Sequence, residues 1–159
     1  MSRMFRCFLT GIALLSAGTL SACQPWHGDT EVTIGEALQG QTVEVDIVGV
    51  SEHDLPSWQN YSVDRYFGAD NSKRNEAKKL TLQFAQGMAQ TRSVSRADEV
   101  WARQWKDSDY LVVLANPPGK WREVDPARDA RKCILDREEM KGSVLRIEVG
   151  RAGLSVTVE

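Results

Sequence analysis

Val43-Glu44-Val45-Asp46-Ile47-Val48-Gly49-Val50 alternates apolar and acidic side chains as far as Ile47. A period of two marks a β-strand with one face on a core, and residues 42–50 are read so, with Glu44 and Asp46 on a wet face. Gly49 is read as a bulge before the strand ends. Leu80-Thr81-Leu82-Gln83-Phe84-Ala85 alternates as clearly and runs into a turn at Gln86-Gly87. Residues 91–95 read as a short polar strand. Tyr110-Leu111-Val112-Val113-Leu114-Ala115 is apolar throughout, the pattern of a central strand covered on both faces, and Asn116-Pro117-Pro118-Gly119 ends it. Residues 132–136 read as another short strand, and 144–149 and 154–158 as arms of a hairpin turning at Gly150-Arg151-Ala152-Gly153. Strand-like segments joined by turns, without regular crossover helices, imply a mainly β chain. The expected architecture is an antiparallel two-sheet β-sandwich with one or two short helical insertions.

Two segments interrupt the strands. Residues 51–78 break the alternation: Pro56 and Ser57 can open a short helix, and Trp58, Tyr61, Val63, Tyr66 and Phe67 recur at mixed spacing, so this excursion is expected to be partly helical. Ser95 can cap a second helix running to Trp105, with Asp98 and Glu99 in its first turn and Val100, Trp101 and Trp105 on its buried face. Residues 125–141 interleave acids and bases and read as a solvated loop and strand edge.

Apolar residues make up 42% and charged residues 26% of the 159-residue chain, the range of an ordinary globular domain of one core. Net charge is -2, and no surplus of Lys and Arg clusters, so a phosphate-tracking nucleic-acid binder is excluded.

The N-terminus carries a different signal. Arg3 and Arg6 form a positive start, residues 8–20 form an apolar run too short for a spanning helix, and Leu20-Ser21-Ala22-Cys23 follows. A large aliphatic, two small residues and a cysteine resemble the lipobox of bacterial lipoproteins. Cleavage before Cys23 would leave its thiol to accept diacylglycerol and its amine to be acylated, and two or three chains make a durable anchor. The expected division is a signal peptide over 1–22, a lipidated tether over 23–40, and a β-sandwich domain over 41–159. Gln24 in place of Asp after the cysteine points to the outer membrane, periplasmic face. Cys7 leaves with the leader and Cys23 is lipidated, so Cys133 has no internal disulfide partner and reads as a small core residue.

No chemistry stands out. His27 and His53 lie far from any zinc or calcium spacing, so no metal site is expected. Ser51-Glu52-His53-Asp54 holds tempting residue types, but neighbours on a turning chain point apart and form no triad. Gly68, Gly87 and Gly119 are isolated, which excludes a phosphate-binding loop and leaves no nucleotide or other cofactor beyond the lipid. A non-enzymatic binding protein is the expectation.

With its strands in this order, the chain resembles the outer-membrane lipoprotein of type VI secretion membrane complexes. The resemblance rests on the lipobox, on residues 43–50 as first strand, on the aromatic excursion with Asp64-Arg65-Tyr66-Phe67, and on residues 80–87. It extends through residues 110–115, the Pro/Gly turn, Trp121-Arg122 and the closing hairpin. It implies a transthyretin-like sandwich with an added helical segment, and a non-enzymatic subunit that docks the periplasmic part of a large inner-membrane subunit. In that family the loop after the first strand is a main contact, which maps to residues 51–61 here and makes His53, Leu55, Trp58 and Tyr61 the partner-binding candidates. The other reading is a different envelope binding lipoprotein, such as a lysozyme inhibitor or a small-ligand-binding module.

Overall fold

The computed structural model describes residues 27–69, 71–122, 125–140 and 144–159; residues 1–22, read as a signal peptide, and Cys23 lie outside them. Eight strands form two four-stranded sheets. Strands β1 (Asp29–Ile34), β2 (Val43–Val50), β3 (Lys79–Phe84), β4 (Thr91–Val94), β5 (Tyr110–Asn116), β6 (Lys132–Asp136), β7 (Val144–Gly150) and β8 (Gly153–Val158) pair in the orders β4-β1-β7-β8 and β3-β2-β5-β6. Helices α1 (Leu55–Gln59), α2 (Val63–Phe67) and α3 (Ser72–Glu76) make up the excursion, and α4 (Glu99–Arg103) follows β4. The chain is the mainly β two-sheet sandwich that the alternating segments imply. Every strand pair is antiparallel except β1 with β7, which run parallel from Asp29 opposite Val144 to Ile34 opposite Val149.

Strand β1 corrects the expected tether. Residues 29–34 carry Thr30, Val32 and Ile34 inward, all buried, and Glu31 and Thr33 outward. The segment is short and its first inward position is a threonine, so its apolar signal is weak. Its stability comes from position: between β4 and β7 both backbone edges are hydrogen-bonded. The folded domain therefore begins by Asp29 and not at residue 41.

The main core lies between the sheets. Val43, Val45 and Ile47 of β2 face Val32, Ile34, Leu145, Ile147 and Val149 of the other sheet, and Leu111, Val113 and Ala115 of β5 join them. Asp98 caps α4 through the Val100 amide, and Trp101 and Trp105 close one end of this core edge to face, with ring centroids 4.9 Å apart. The helix stops at Arg103, so Trp105 packs from the turn beyond it. Val112 and Leu114 point to the opposite face of β5 and belong to a second core, which is why that strand is apolar throughout.

Gly49 is not a bulge. It stays in register opposite Leu111, and a Cβ there would run into Trp105 Cδ1 and Ser108 Oγ. The glycine lets the Trp105 indole lie against the strand. The charged stretch 125–141 also departs from its solvated reading: Asp129, Arg131 and Arg137 are buried. Arg137 is fully buried, donates through Nη1 to the carbonyls of Trp105 at 2.6 Å and Ser108 at 2.7 Å, and lies 5.4 Å from the Trp101 ring centroid. Carbonyl and π-face partners make an inward guanidinium tolerable.

Strand direction sorts the connections to two ends. The start of β1 lies with the ends of β2, β4, β6 and β8 and the starts of β3, β5 and β7. The opposite end carries the turn Glu36–Leu38, the 85–90 turn, residues 117–122 and 125–131, and the 150–153 hairpin turn. No described helix is long and apolar enough to cross a membrane.

Replacing Gly49 by Ala should destabilise the domain by about 2 kcal/mol, because the added methyl must displace Trp105. A lowered urea midpoint with an unchanged slope checks this; an unchanged midpoint would mean the indole moves freely.

Candidate interaction surface

The excursion covers the outer face of the β3-β2-β5-β6 sheet. Side chains at alternate positions of β2 and β5 point outward, and Val48, Val50, Val112 and Leu114 form an apolar floor there. Trp58 of α1 and Val63 and Tyr66 of α2 bury themselves on it, with Tyr61 and Phe67 packed at their edges. The face read as wet is therefore a second core.

One charge lies within it. Asp46 is fully buried, and its carboxylate accepts the Tyr66 hydroxyl at 2.9 Å, Arg74 Nε at 2.7 Å and the Thr81 hydroxyl at 2.6 Å. Arg74 also pairs with Glu44 at 3.0 Å. Burial opposes the Arg74 charge, but its bonds to Asp46 and Glu44 outweigh that and hold its pKa above the usual value. Burial first, and then the Asp46 charge, push the Tyr66 phenol far up, so it remains a donor. One carboxylate on β2 thus ties down α2, α3 and β3.

Other cations fix the rest of the excursion. Lys132 Nζ donates to the carbonyls of Trp58, Gln59 and Tyr61 at 3.2, 2.8 and 3.0 Å, closing the C-terminal end of α1. Arg131 bridges Asp129 and Asp64 of α2, each at 2.6 Å. Lys73 donates to the Ser57 hydroxyl at 2.8 Å and sits 4.5 Å from the Trp58 and 4.7 Å from the Tyr61 ring centroid. Burial lowers its pKa, with the Asp54 charge acting against that. An open cleft of about 470 Å³ lies beside it, between α1, α3 and the end of β2.

The four partner-binding candidates fall in different settings. His53 is exposed in the turn before α1, which is anchored by the Glu52 amide donating to Asp109 at 2.8 Å. Leu55 is half-buried as the first residue of α1. Trp58 is 6% exposed on the inner side of the helix. Tyr61 is half-buried, 6.5 Å from Trp58 between ring centroids. The structure brings Trp58 and Tyr61 together around Lys73, leaves His53 and Leu55 toward the outside, and puts the 51–54 turn at the end where β1 begins. Cys133 is half-buried against the main core, and burial raises its thiol pKa, as suits a packing residue. Among the described residues no three His, Cys, Asp or Glu converge as a metal-binding group.

This arrangement has relatives among solved structures. A chain in the structure of the T6SS protein TssM C-terminal domain (869-1107) from EAEC superposes with a TM-score of 0.57 at 16% identity, covering 82% of this chain and 99% of that one. A chain of a type VI membrane complex gives 0.56 at 16% identity, covering 82% and 96%. The type VI secretion lipoprotein TssJ1 from Pseudomonas aeruginosa gives 0.51 at 13% identity, covering 85% and 97%. The chain folds like a type VI secretion lipoprotein. No protein-family model and no curated protein matches it; at such identities the likeness lies in the fold, not in the residues.

The residues that build this surface and escaped the sequence reading are Asp46, Arg74, Arg131 and Lys132. The available signal was Asp46 directly opposite Thr81 across β2 and β3, two small polar partners on a face that also carries Val48 and Val50.

Replacing Asp46 by Ala should cost about 3 kcal/mol, because Arg74, Tyr66 and Thr81 lose a shared acceptor in a dry site. Chemical unfolding followed by tryptophan fluorescence reads the loss; a change under about 0.5 kcal/mol would show that the excursion is held by apolar packing alone.

Proposed function

We propose that this chain is an outer-membrane-anchored lipoprotein, a non-enzymatic docking subunit of a type VI secretion membrane complex. The observation that carries the reading is a sandwich shared, over four-fifths of this chain, with type VI membrane-complex chains. The sequence supplies the anchor: Leu20-Ser21-Ala22-Cys23 offers Cys23 for diacylglycerol and amine acylation, and Gln24 favours the outer membrane.

In this reading the lipid holds the domain at the periplasmic face, and residues 51–61 meet the periplasmic part of an inner-membrane subunit. His53 and Leu55 contribute the accessible contacts, Tyr61 contributes its outer edge, and buried Trp58 holds the α1 segment against the sheet. The rigid floor beneath α1 supports it: a pre-ordered loop loses little conformational freedom on binding.

Two measurements test this. Radiolabelled palmitate should enter the full-length protein in its native host and be lost in Cys23→Ser. The lipidated protein, reconstituted in lipid nanodiscs, should bind the purified periplasmic domain of the host's inner-membrane secretion subunit. A His53→Ala, Leu55→Ala variant should weaken that binding about tenfold with unchanged thermal stability, whereas Trp58→Ala should lose about 3 kcal/mol of stability. Absence of label would remove the anchor; absence of binding, or equal binding by the double variant, would remove respectively the function or the site.

A further inference from the structure

Exposed charge is unevenly spread over the two ends of the sandwich. At the end where β1 begins, Glu52, Asp54, Asp107, Asp109, Glu138 and Glu139 are exposed, against Lys78, Arg96, Arg103 and Lys106; Arg96 is paired with Asp29 and Arg103 with Glu99. At the opposite end Lys120, Arg122, Arg128 and Arg151 are exposed around a half-buried Trp121. Among the described residues the acids there are Glu36 and Glu148, both exposed, Asp125, 3.8 Å from Arg128, and Asp129 and Asp64, both spent on Arg131; the cleft lined by Lys120, Arg122 and Arg151 has no acid among its described residues.

This distal end is shaped as well as charged. Two open clefts, of about 450 and 510 Å³, meet at Trp121 and Arg122. Trp121 is set by its indole N–H donating to the Pro117 carbonyl at 3.1 Å, and the buried Arg131 guanidinium lies 5.3 Å from its ring centroid. Arg151 borders the first cleft with its Nε on the Ala37 carbonyl at 3.2 Å, and Arg128 borders the second. Among the described residues no ion pair involves Lys120 or Arg122. Cations held around a fixed aromatic suit carboxylates, which guanidinium groups bind in a bidentate fork.

We propose that this distal surface receives an acidic peptide segment of a periplasmic protein. Its orientation rests on the lipid anchor at Cys23 proposed above. Six residue steps from Cys23 to Asp29 reach at most about 20 Å, while the eight-residue β2 alone spans about 25 Å. The distal end therefore faces away from the bilayer, and its own membrane's lipid headgroups are not its ligand. A second copy of the chain does not fit either: its complementary acidic end would be held at the same membrane. What remains is an anionic segment approaching from the periplasmic side, where charge complementarity raises association rate and selects the partner.

The test uses the full mature chain and a fluorescently labelled glutamate-rich peptide at low salt. Binding should be saturable and weaken as salt rises. Lys120→Glu with Arg122→Glu should weaken it at least about tenfold, the neutral pair Lys120→Gln with Arg122→Gln should give an intermediate loss, and Lys106→Glu at the other end should change nothing. The proposal is overturned by absence of peptide binding, by equal loss from Lys106→Glu, or by preference for peptidoglycan sacculi or anionic vesicles over the peptide. Peptide binding does not depend on the lipid, so failure here and failure of palmitate labelling are separately visible.

Discussion

A carboxylate buried on the outer face of a sheet organises this molecule. Asp46 belongs to the central strand β2, yet it points away from the core between the sheets and collects Tyr66, Arg74 and Thr81. Left alone there, its charge would be prohibitively costly. The cost is offset only if a hydroxyl-bearing aromatic and a cation arrive together from the segment between β2 and β3. That requirement selects one path for residues 51–78, in which three short helices lie flat on the sheet. None of these five-residue helices would be stable by itself; α1 and α2 each combine a buried aromatic with polar ties, and α3, which buries no residue, is held by Arg74 on Asp46 and Lys73 on Ser57.

The same logic recurs at other buried and half-buried charges. Arg131 is bridged to Asp129 and Asp64, Lys132 gathers three carbonyls at the end of α1, and Arg137 sits on backbone carbonyls and an indole face. These groups specify geometry more than they add stability, since a buried ion pair often does no better than a well-packed apolar substitute. Together they tie α1 to the sheet, with His53 exposed in the turn before it and Leu55 half-buried at its start.

Much of the fold is legible in the sequence because period-two patterning is a local property. The strands 43–50, 80–84 and 110–115 announce themselves, and the unbroken apolar run of β5 reports its two covered faces. Strand β1 escapes that reading because its place depends on partners more than a hundred residues away, as with Val32 opposite Ile147. The site was less legible. An Asp in an alternating strand looks solvent-facing until Arg74 and Tyr66 are brought over it, and Trp58 looks exposed until Val48 and Val112 lie beneath it. Long-range pairing of polar groups leaves no periodic trace in the chain.

In the proposed function a lipid on Cys23 holds a sandwich whose outer sheet face is covered by the 51–78 excursion. The central claim is that the turn after β2 touches an inner-membrane secretion subunit, and photo-crosslinking in the native host tests it most directly. A photoreactive amino acid at position 53 of the full-length protein should give, on illumination, one adduct identified by mass spectrometry as that subunit. Adducts with other envelope proteins alone, from protein that is folded and labels with palmitate, would contradict that claim.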